Sequence, residues 1–350
     1  MNARLQKFVA QFDRHELDAC LVTSDVNISY LSRFSASESW LLVLPRKAYY
    51  ITDFRYILEA RQGLKGVTVV RYEKSMAAAV LDLARRHNIR RLGFDDRHLS
   101  LAQFKTLKSA VSPGVRLVSV RGIVEFLREI KEKEELALIR KALALNLEAY
   151  RFLKGVIRPG VTEKRVLESL ERYVKARKAG FSFPPIIASG PNSCYPHARV
   201  TDRKVKNNEP VLVDMGMDIK GYKSDLTRMF FLGKIPPLIR KVNDFVAEAQ
   251  ARAIKAIRPG KKAGEIDETA RNFLREKRLA KYFGHSLGHG VGAEIHEDPR
   301  VSPRSPVILK PGMVFTVEPA VYLPHQFGIR IEDMVLVTPG GCEILSRKAG

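Results

Sequence analysis

Val211-Leu212-Val213-Asp214-Met215-Gly216 and, a few residues on, Ser224-Asp225-Leu226-Thr227-Arg228 decide how this chain is read. Asp214 closes an apolar run and Asp225 lies in a second strand-like segment, so each carboxylate is predicted where water is scarce. Such a position is costly for a lone charge. A hairpin turning at Ile219-Lys220 would set Asp214 directly opposite Asp225, on one face, with Cβ atoms about 5 Å apart. The pattern returns further on. Glu318 follows Met313-Val314-Phe315-Thr316-Val317, Glu332 follows Ile329-Arg330-Ile331, and Tyr322 to Gly328 supplies the loop between them. Their separation is even, so an odd-length turn would bring this pair face to face as well.

Two like-charged pairs on buried strands repel unless they are protonated or neutralised. Four carboxylates carry four negative charges, which two divalent cations balance. His289, within Gly288-His289-Gly290-Val291-Gly292, adds a neutral imidazole, and its glycines let backbone approach the site closely. Asp214, Asp225, His289, Glu318 and Glu332 thus form a ligand set without thiolate. It predicts two divalent ions about 3.5 to 4 Å apart, Mn2+ or Co2+ first, with Zn2+ or Fe2+ also compatible.

These residues resemble metallopeptidase family M24, the pita-bread peptidases, and within it the Xaa-Pro dipeptidase (prolidase) and Xaa-Pro aminopeptidase branch. The resemblance runs through seven segments in order. Ser189-Gly190-Pro191-Asn192-Ser193 with Pro196-His197-Ala198 is similar to the family's first histidine motif. Val213-Asp214-Met215-Gly216, Ser224-Asp225-Leu226-Thr227-Arg228 and Gly288-His289-Gly290-Val291-Gly292 resemble its aspartate and metal-histidine motifs. His296-Glu297-Asp298-Pro299-Arg300, Val317-Glu318-Pro319-Ala320 and Gly328-Ile329-Arg330-Ile331-Glu332-Asp333 resemble the rest.

That resemblance implies a reaction and roles. A hydroxide shared by two cations would attack the carbonyl of the bond before proline, and Glu318 would both bind metal and relay a proton to the leaving nitrogen. His197 and His296 match non-ligand histidines expected to stabilise the tetrahedral oxyanion. Tyr322 and Arg330 match positions that orient the site and bind substrate. Beside these, Arg300 is a candidate for holding a C-terminal carboxylate through a bidentate contact, and His285 for orienting a ligand or substrate. Either arginine could instead only pair with a neighbouring acid. Five of the eight histidines, His197, His285, His289, His296 and His325, fall among the carboxylates. His325 sits in a predicted turn and reads as exposed.

Length and patterning agree with two domains. A chain of 350 residues has ample apolar content for two cores. Residues 1–125 alternate short strands with helices and read as an α/β domain, creatinase-like on the resemblance, in which Thr52-Asp53-Phe54-Arg55-Tyr56 is similar to a common family segment. Residues 126–350 read as an α+β pita-bread catalytic domain. A helix over 129–156 is predicted to link the two, with Lys131-Glu132-Lys133-Glu134-Glu135 on a solvated face. Ile157-Arg158-Pro159-Gly160 returns 100 residues later as Ile257-Arg258-Pro259-Gly260, each between helical stretches, which predicts a duplicated unit.

Cys20, Cys194 and Cys342 are odd in number and scattered, which predicts reduced thiols and a cytoplasmic protein. No apolar run is long enough to span a bilayer, and the N-terminus, with Leu5, Phe8, Val9 and Phe12 at helical spacing, does not read as a signal peptide. The net charge of +22 stands apart from the peptidase reading. It is spread over both domains, 20 basic against 12 acidic residues in 1–125 and 40 against 26 beyond, with no basic tail or stripe, so a nucleic-acid partner is not expected.

Three alternatives are weighed. A non-catalytic pita-bread protein binding protein or nucleic acid would be expected to have lost ligands, and all five are present. A creatine amidinohydrolase would not need them. A methionine aminopeptidase would share them yet usually lack an N-terminal α/β domain. The expectation is therefore a homodimeric metallopeptidase taking proline-containing di- or oligopeptides, with dipeptidase and aminopeptidase both open.

Overall fold

The computed structural model describes residues 1–110 and 114–347 and divides the chain into two compact units, Met1–Leu127 and Arg128–Gly350. The first is an α/β unit. Strand Ala19–Val22 lies near the middle of a six-stranded sheet, antiparallel to Trp40–Val43 and parallel to Arg91–Phe94. Its alternation shows why it is central. Cys20 and Val22 join Phe8, Phe12 and Ile28 on one face, while Ala19 and Leu21 join Val80, Leu83 and Leu107 on the other.

Two details of this unit depart from the sequence reading. Helix Asp25–Ser32 was not expected, although Ser24 caps it by accepting from the Asn27 amide. Helical periodicity over residues 54–61 predicts a helix from Phe54; it begins later, at Ile57–Gly63, because Asp53 accepts from both the amide and the guanidinium of Arg55 and holds that stretch in a turn.

The second unit opens with helix Lys133–Val156, which starts four residues later than expected. Glu132 caps it and Glu135 reaches back to accept from the Glu132 amide at 2.8 Å, so the chain before it is free to run as backbone that bridges Ile130 to Met313. The solvated face is also corrected. The Lys131 side chain is 1% exposed and paired with Glu297 at 2.7 Å, and Glu135 is buried and accepts from the Tyr222 hydroxyl.

The duplication is seen in full. Helices Lys133–Val156 and Pro237–Ala256 both run into Ile-Arg-Pro-Gly, and helices Glu163–Ala176 and Ala263–Glu276 follow at equal spacing and equal length. Gly160 and Gly260 both have φ of 87° and donate to Val205 O and Leu309 O respectively. Each repeat then lays fully buried strands against its own helices. Pro210–Met215 packs with Leu153, Val166 and Leu170, and Val314–Val317 contributes Phe315 and Val317 to a core with Val246, Ile266 and Leu274. Burying side chains of this size stabilises by about 1.5–3 kcal/mol each.

Candidate metal centre

The two carboxylate pairs reach the site by different registers. In the first hairpin Met217–Ile219 pairs with Tyr222–Lys223, and Leu226–Phe231 pairs with Pro210–Met215 so that Thr227, not Asp225, stands opposite Asp214. The turn is Lys220-Gly221, both at positive φ, which a glycine accepts and which shifts the register by two from a turn at Ile219-Lys220. Asp225 is therefore diagonal to Asp214 on the same face rather than opposite it. The second pair follows the expected geometry. Val317 pairs with Asp333 and Ala320 with Arg330, so one register carried through both ladders sets Glu318 opposite Glu332. The turn centres on His325, exposed and at φ 62°, and is odd in length.

His289 comes in from a neighbouring strand, Gly288–Gly290, in the same sheet as Val314–Val317. The approach is close enough that a Cβ at Gly288 would collide with Thr316 O. His289 Nδ1 lies 3.2 Å from Gly290 O and donates to it, which turns Nε2 toward Glu318 Oε1 at 3.3 Å and Asp225 Oδ2 at 3.6 Å. Asp225, His289 and Glu332 each present a donor atom within 4.8 Å of the other two.

Most of the remaining hydrogen-bonding capacity is fixed. Thr227 donates to Glu332 Oε2 at 2.7 Å, Thr316 to Glu318 Oε1 at 3.1 Å, and Arg330 Nη2 to Asp214 Oδ2 at 2.5 Å. Asp214 Oδ1, Asp225 Oδ1 and Glu332 Oε1 are buried with no hydrogen-bond partner among the described residues. Three orphaned carboxylate oxygens beside an imidazole fit divalent cations, because uncompensated anionic oxygens at such depth are otherwise strongly unfavourable.

The titration behaviour has the same cause. Burial, and then mutual repulsion, pushes Asp225 and Glu332 well above the usual carboxylate range, and burial raises Asp214 against the opposing pull of Arg330. Burial would raise Glu318 too, but the hydrogen bond and charge of His289, with His285 and Arg330, outweigh it and hold Glu318 down at about 2. His289 is raised: burial opposes its charge, and Glu318 outweighs burial.

Around this centre Arg330, Tyr322 and His285 form a chain. Arg330 Nη1 donates to Tyr322 Oη at 2.5 Å and Arg330 Nε to Thr227 Oγ1 at 3.0 Å. His285 Nδ1 donates to Ser286 O at 2.8 Å, leaving Nε2 to accept from Tyr322 Oη at 3.3 Å. Burial lowers His285 and pushes Tyr322 up to about 12, so both are neutral around neutrality. Arg330 is thus committed to protein partners, Asp214 among them, and is buried. His296 stacks edge-on against His289, ring centroids 4.3 Å apart, and is exposed; burial of its ring and the charge of His289, with that of His197, lower its pKa. His197 is exposed and near enough to His296 for its charge to be felt. Arg300 is exposed and donates from Nε to Ser286 Oγ at 3.1 Å, next to His285.

One further trio, Asp95, His98 and Glu125 in the first unit, also brings possible ligand atoms together. Arg97 already forks between Asp95 and Glu125 at 3.1 and 2.6 Å, and Asn27 donates to Glu125, so the charge of this cluster is already met by the protein's own cation, although Glu125 Oε2 keeps no hydrogen-bond partner among the described residues. Sequence reasoning missed the residues that brace the main centre, Thr227, Thr316, Tyr150 and Gln250. A polar residue on an otherwise apolar helix stripe, as Gln250 is between Val246 and Ala253, was the available signal.

A buried carboxylate and imidazole cluster in a duplicated α+β unit defines a divalent-metal hydrolase. Comparison with known proteins gives the family. The chain belongs to metallopeptidase family M24, whose model matches residues 137–339, and the Creatinase/Prolidase N-terminal domain matches residues 4–130. An Xaa-Pro dipeptidase of Pyrococcus furiosus is 33% identical over 99% of this chain and 98% of its own length. The solved structure of an Xaa-Pro dipeptidase from Bacillus anthracis is similar with a TM-score of 0.95 at 33% identity, covering 99% of this chain and 97% of that one. An X-Pro aminopeptidase from Thermotoga maritima gives 0.89 at 32% identity, covering 97% and 98%. The architecture is accordingly a creatinase-like N-terminal domain followed by a pita-bread catalytic domain, and the protein is a peptidase.

Proposed function

We propose that the protein hydrolyses the peptide bond on the N-terminal side of proline, with Xaa-Pro dipeptides as substrates, at a centre of two divalent ions held by Asp214, Asp225, His289, Glu318 and Glu332. The observation that carries the reading is the meeting of ligand atoms of Asp225, His289 and Glu332 within 4.8 Å of one another, with Asp214 Oδ1, Asp225 Oδ1 and Glu332 Oε1 buried and without a hydrogen-bond partner among the described residues. Mn2+ or Co2+ suits this oxygen-rich set with one imidazole. Such ions, when bound, supply Lewis acidity and an activated water.

The chain's own groups do the rest. Glu318, ionised and braced by Thr316, takes the proton of the attacking water and passes it to the leaving nitrogen. That step is required because a proline nitrogen in peptide linkage carries no hydrogen and departs well only once protonated. His296 and His197 lie together on the accessible side of His289 and donate to the oxygen of the scissile carbonyl as it gains charge. Arg330 and Tyr322 fix the position of Asp214 and His285. Arg300 has guanidinium nitrogens to spare beside Ser286 and pairs with the free carboxylate of a dipeptide.

The protein acts as a homodimer in this reading, supported by Phe54 and Leu58, apolar and 69% and 70% exposed on the first unit. A cytoplasmic location is supported by three free thiols. Among the described residues no helix is long and apolar enough to cross a membrane.

The test offers Xaa-Pro and Xaa-Pro-Yaa peptides in parallel to wild type and to Arg300→Ala. Free proline from Xaa-Pro is expected, with KM for the dipeptide rising more than KM for its C-terminal amide in the variant. Cleavage of tripeptides alone would make the enzyme an aminopeptidase, and equal effects on acid and amide would remove Arg300 from substrate recognition.

A further inference from the structure

Tyr150 and Gln250 occupy the same place in the two repeats, each seven residues before Ile-Arg-Pro-Gly. They do the same thing there. Tyr150 Oη lies 2.9 Å from Val213 O and 2.5 Å from Leu226 O; Gln250 Nε2 lies 2.9 Å from Val317 O and 3.1 Å from Ile331 O. Val213 precedes Asp214, Leu226 follows Asp225, Val317 precedes Glu318 and Ile331 precedes Glu332. One buried helix side chain in each repeat therefore touches both strands of a carboxylate pair, at peptide groups that adjoin Asp214, Glu318 and Glu332 and, through Leu226 O, at the peptide group one residue beyond Asp225.

The chemistry of the contacts is suited to holding a spacing. The Gln250 amide has two hydrogens and gives one to each strand, so a change in the distance between Val317 and Ile331 breaks one bond or the other. Tyr150 has one hydrogen for two carbonyls and keeps both within reach of a single oxygen. Glu318 and Glu332 lie between two ladders, where one long backbone bond, from Ile331 N to Pro319 O at 3.4 Å, joins the strands, whereas Asp214 is held in a ladder opposite Thr227. Asn146, one turn before Tyr150, adds a bond to Met215 O on the other side of Asp214. Around these side chains the helix stripe is apolar, with Ala149, Leu153, Val246, Ala249 and Ala253 all fully buried, so the polar groups have no water to turn to.

We propose that Tyr150 and Gln250 are positioning residues that set the separation of the paired carboxylates, and through it the affinity and coordination geometry of the metal centre. The inference rests on the metal-centre reading above. Its consequence is a symmetric pair of clamps, one per repeat, that hold the ligands from behind without touching substrate.

The experiment titrates metal-free wild type, Tyr150→Phe, Gln250→Met and Val246→Ala with Co2+, following heat and the visible absorption of the bound ion, with melting temperature recorded beside it. Val246→Ala sits one turn from Gln250, removes core volume without deleting a polar contact to a ligand strand, and serves as the measure of mere destabilisation. Gln250→Met is expected to weaken binding of at least one ion by about 10-fold or more, the scale for partners that orient ligands, and to alter the cobalt band. Tyr150→Phe, which deletes a single oxygen and folds readily, should shift affinity and band in the same sense. Wild-type titration and spectra in both clamp variants would overturn the proposal, as would an equal change in Val246→Ala. If wild type takes up no cobalt, the metal-centre reading fails and the clamp falls with it; if wild type takes up two equivalents, the clamp is judged alone.

Discussion

Arg330 Nη2 donates to Asp214 Oδ2 at 2.5 Å while Oδ1 of the same carboxylate lies buried without a hydrogen-bond partner among the described residues. One oxygen is held by a permanent cation and the other is left open, which is where the proposed metal would bind. Arg330 also serves Tyr322, Thr227 and Pro196 O, so its removal would strand several buried groups together. Arg330→Met is expected to cost about 3–5 kcal/mol, the range for breaking a buried ion pair from one side. Urea unfolding in the presence of chelator measures this apart from any metal. An unchanged midpoint and slope would show that the pair is not structural.

Glu318 and Asp225 should fail differently. Glu318→Gln keeps the size and one oxygen ligand but loses basicity, so the variant should retain most of its metal at high metal concentration while kcat falls by roughly 10²-fold or more. Asp225→Asn replaces a buried carboxylate with an amide and should lose metal first. Bound metal per chain beside single-turnover rate separates the two. Near wild-type turnover by metal-loaded Glu318→Gln would pass the proton shuttle to His296.

Lys131 carries a pH-dependent prediction. The Glu297 side chain is 3% exposed; burial opposes its charge, but Lys131 and Arg128 outweigh burial and hold its pKa below the ordinary value. Stability from a depressed carboxylate is full above its unfolded pKa and is lost as pH falls through the folded one. Lys131→Met should cost about 3 kcal/mol at pH 7. With one cation gone, the Glu297 pKa moves back up, so less stability remains to be lost in acid, and the gap to wild type should narrow below about pH 5. Unfolding curves at pH 7, 5 and 4 test this, and a gap that stays constant would remove Glu297 from the role.

Much of the site could be read from residue types and spacing because the controlling physics is local. Glu318 and Glu332 follow apolar strands with an odd turn between them, and the register obeys. The first hairpin was misread by two residues because Gly221, and not Ile219, answers the demand for positive φ. The Lys131 segment was misread for a different reason: its burial depends on Glu297, 166 positions away in sequence, which no charge pattern announces. Gln250 was passed over because one polar residue among apolar neighbours reads as an interruption of a helix stripe until the strand carbonyls it serves are placed beside it.

The most direct test of the account is the metal content and Xaa-Pro hydrolysis of the purified protein, measured together before chelation, after exhaustive chelation, and after return of Mn2+ or Co2+. The account predicts up to two ions per chain, activity lost with them, and activity recovered when they return. Full hydrolysis by protein shown to be free of metal would contradict it.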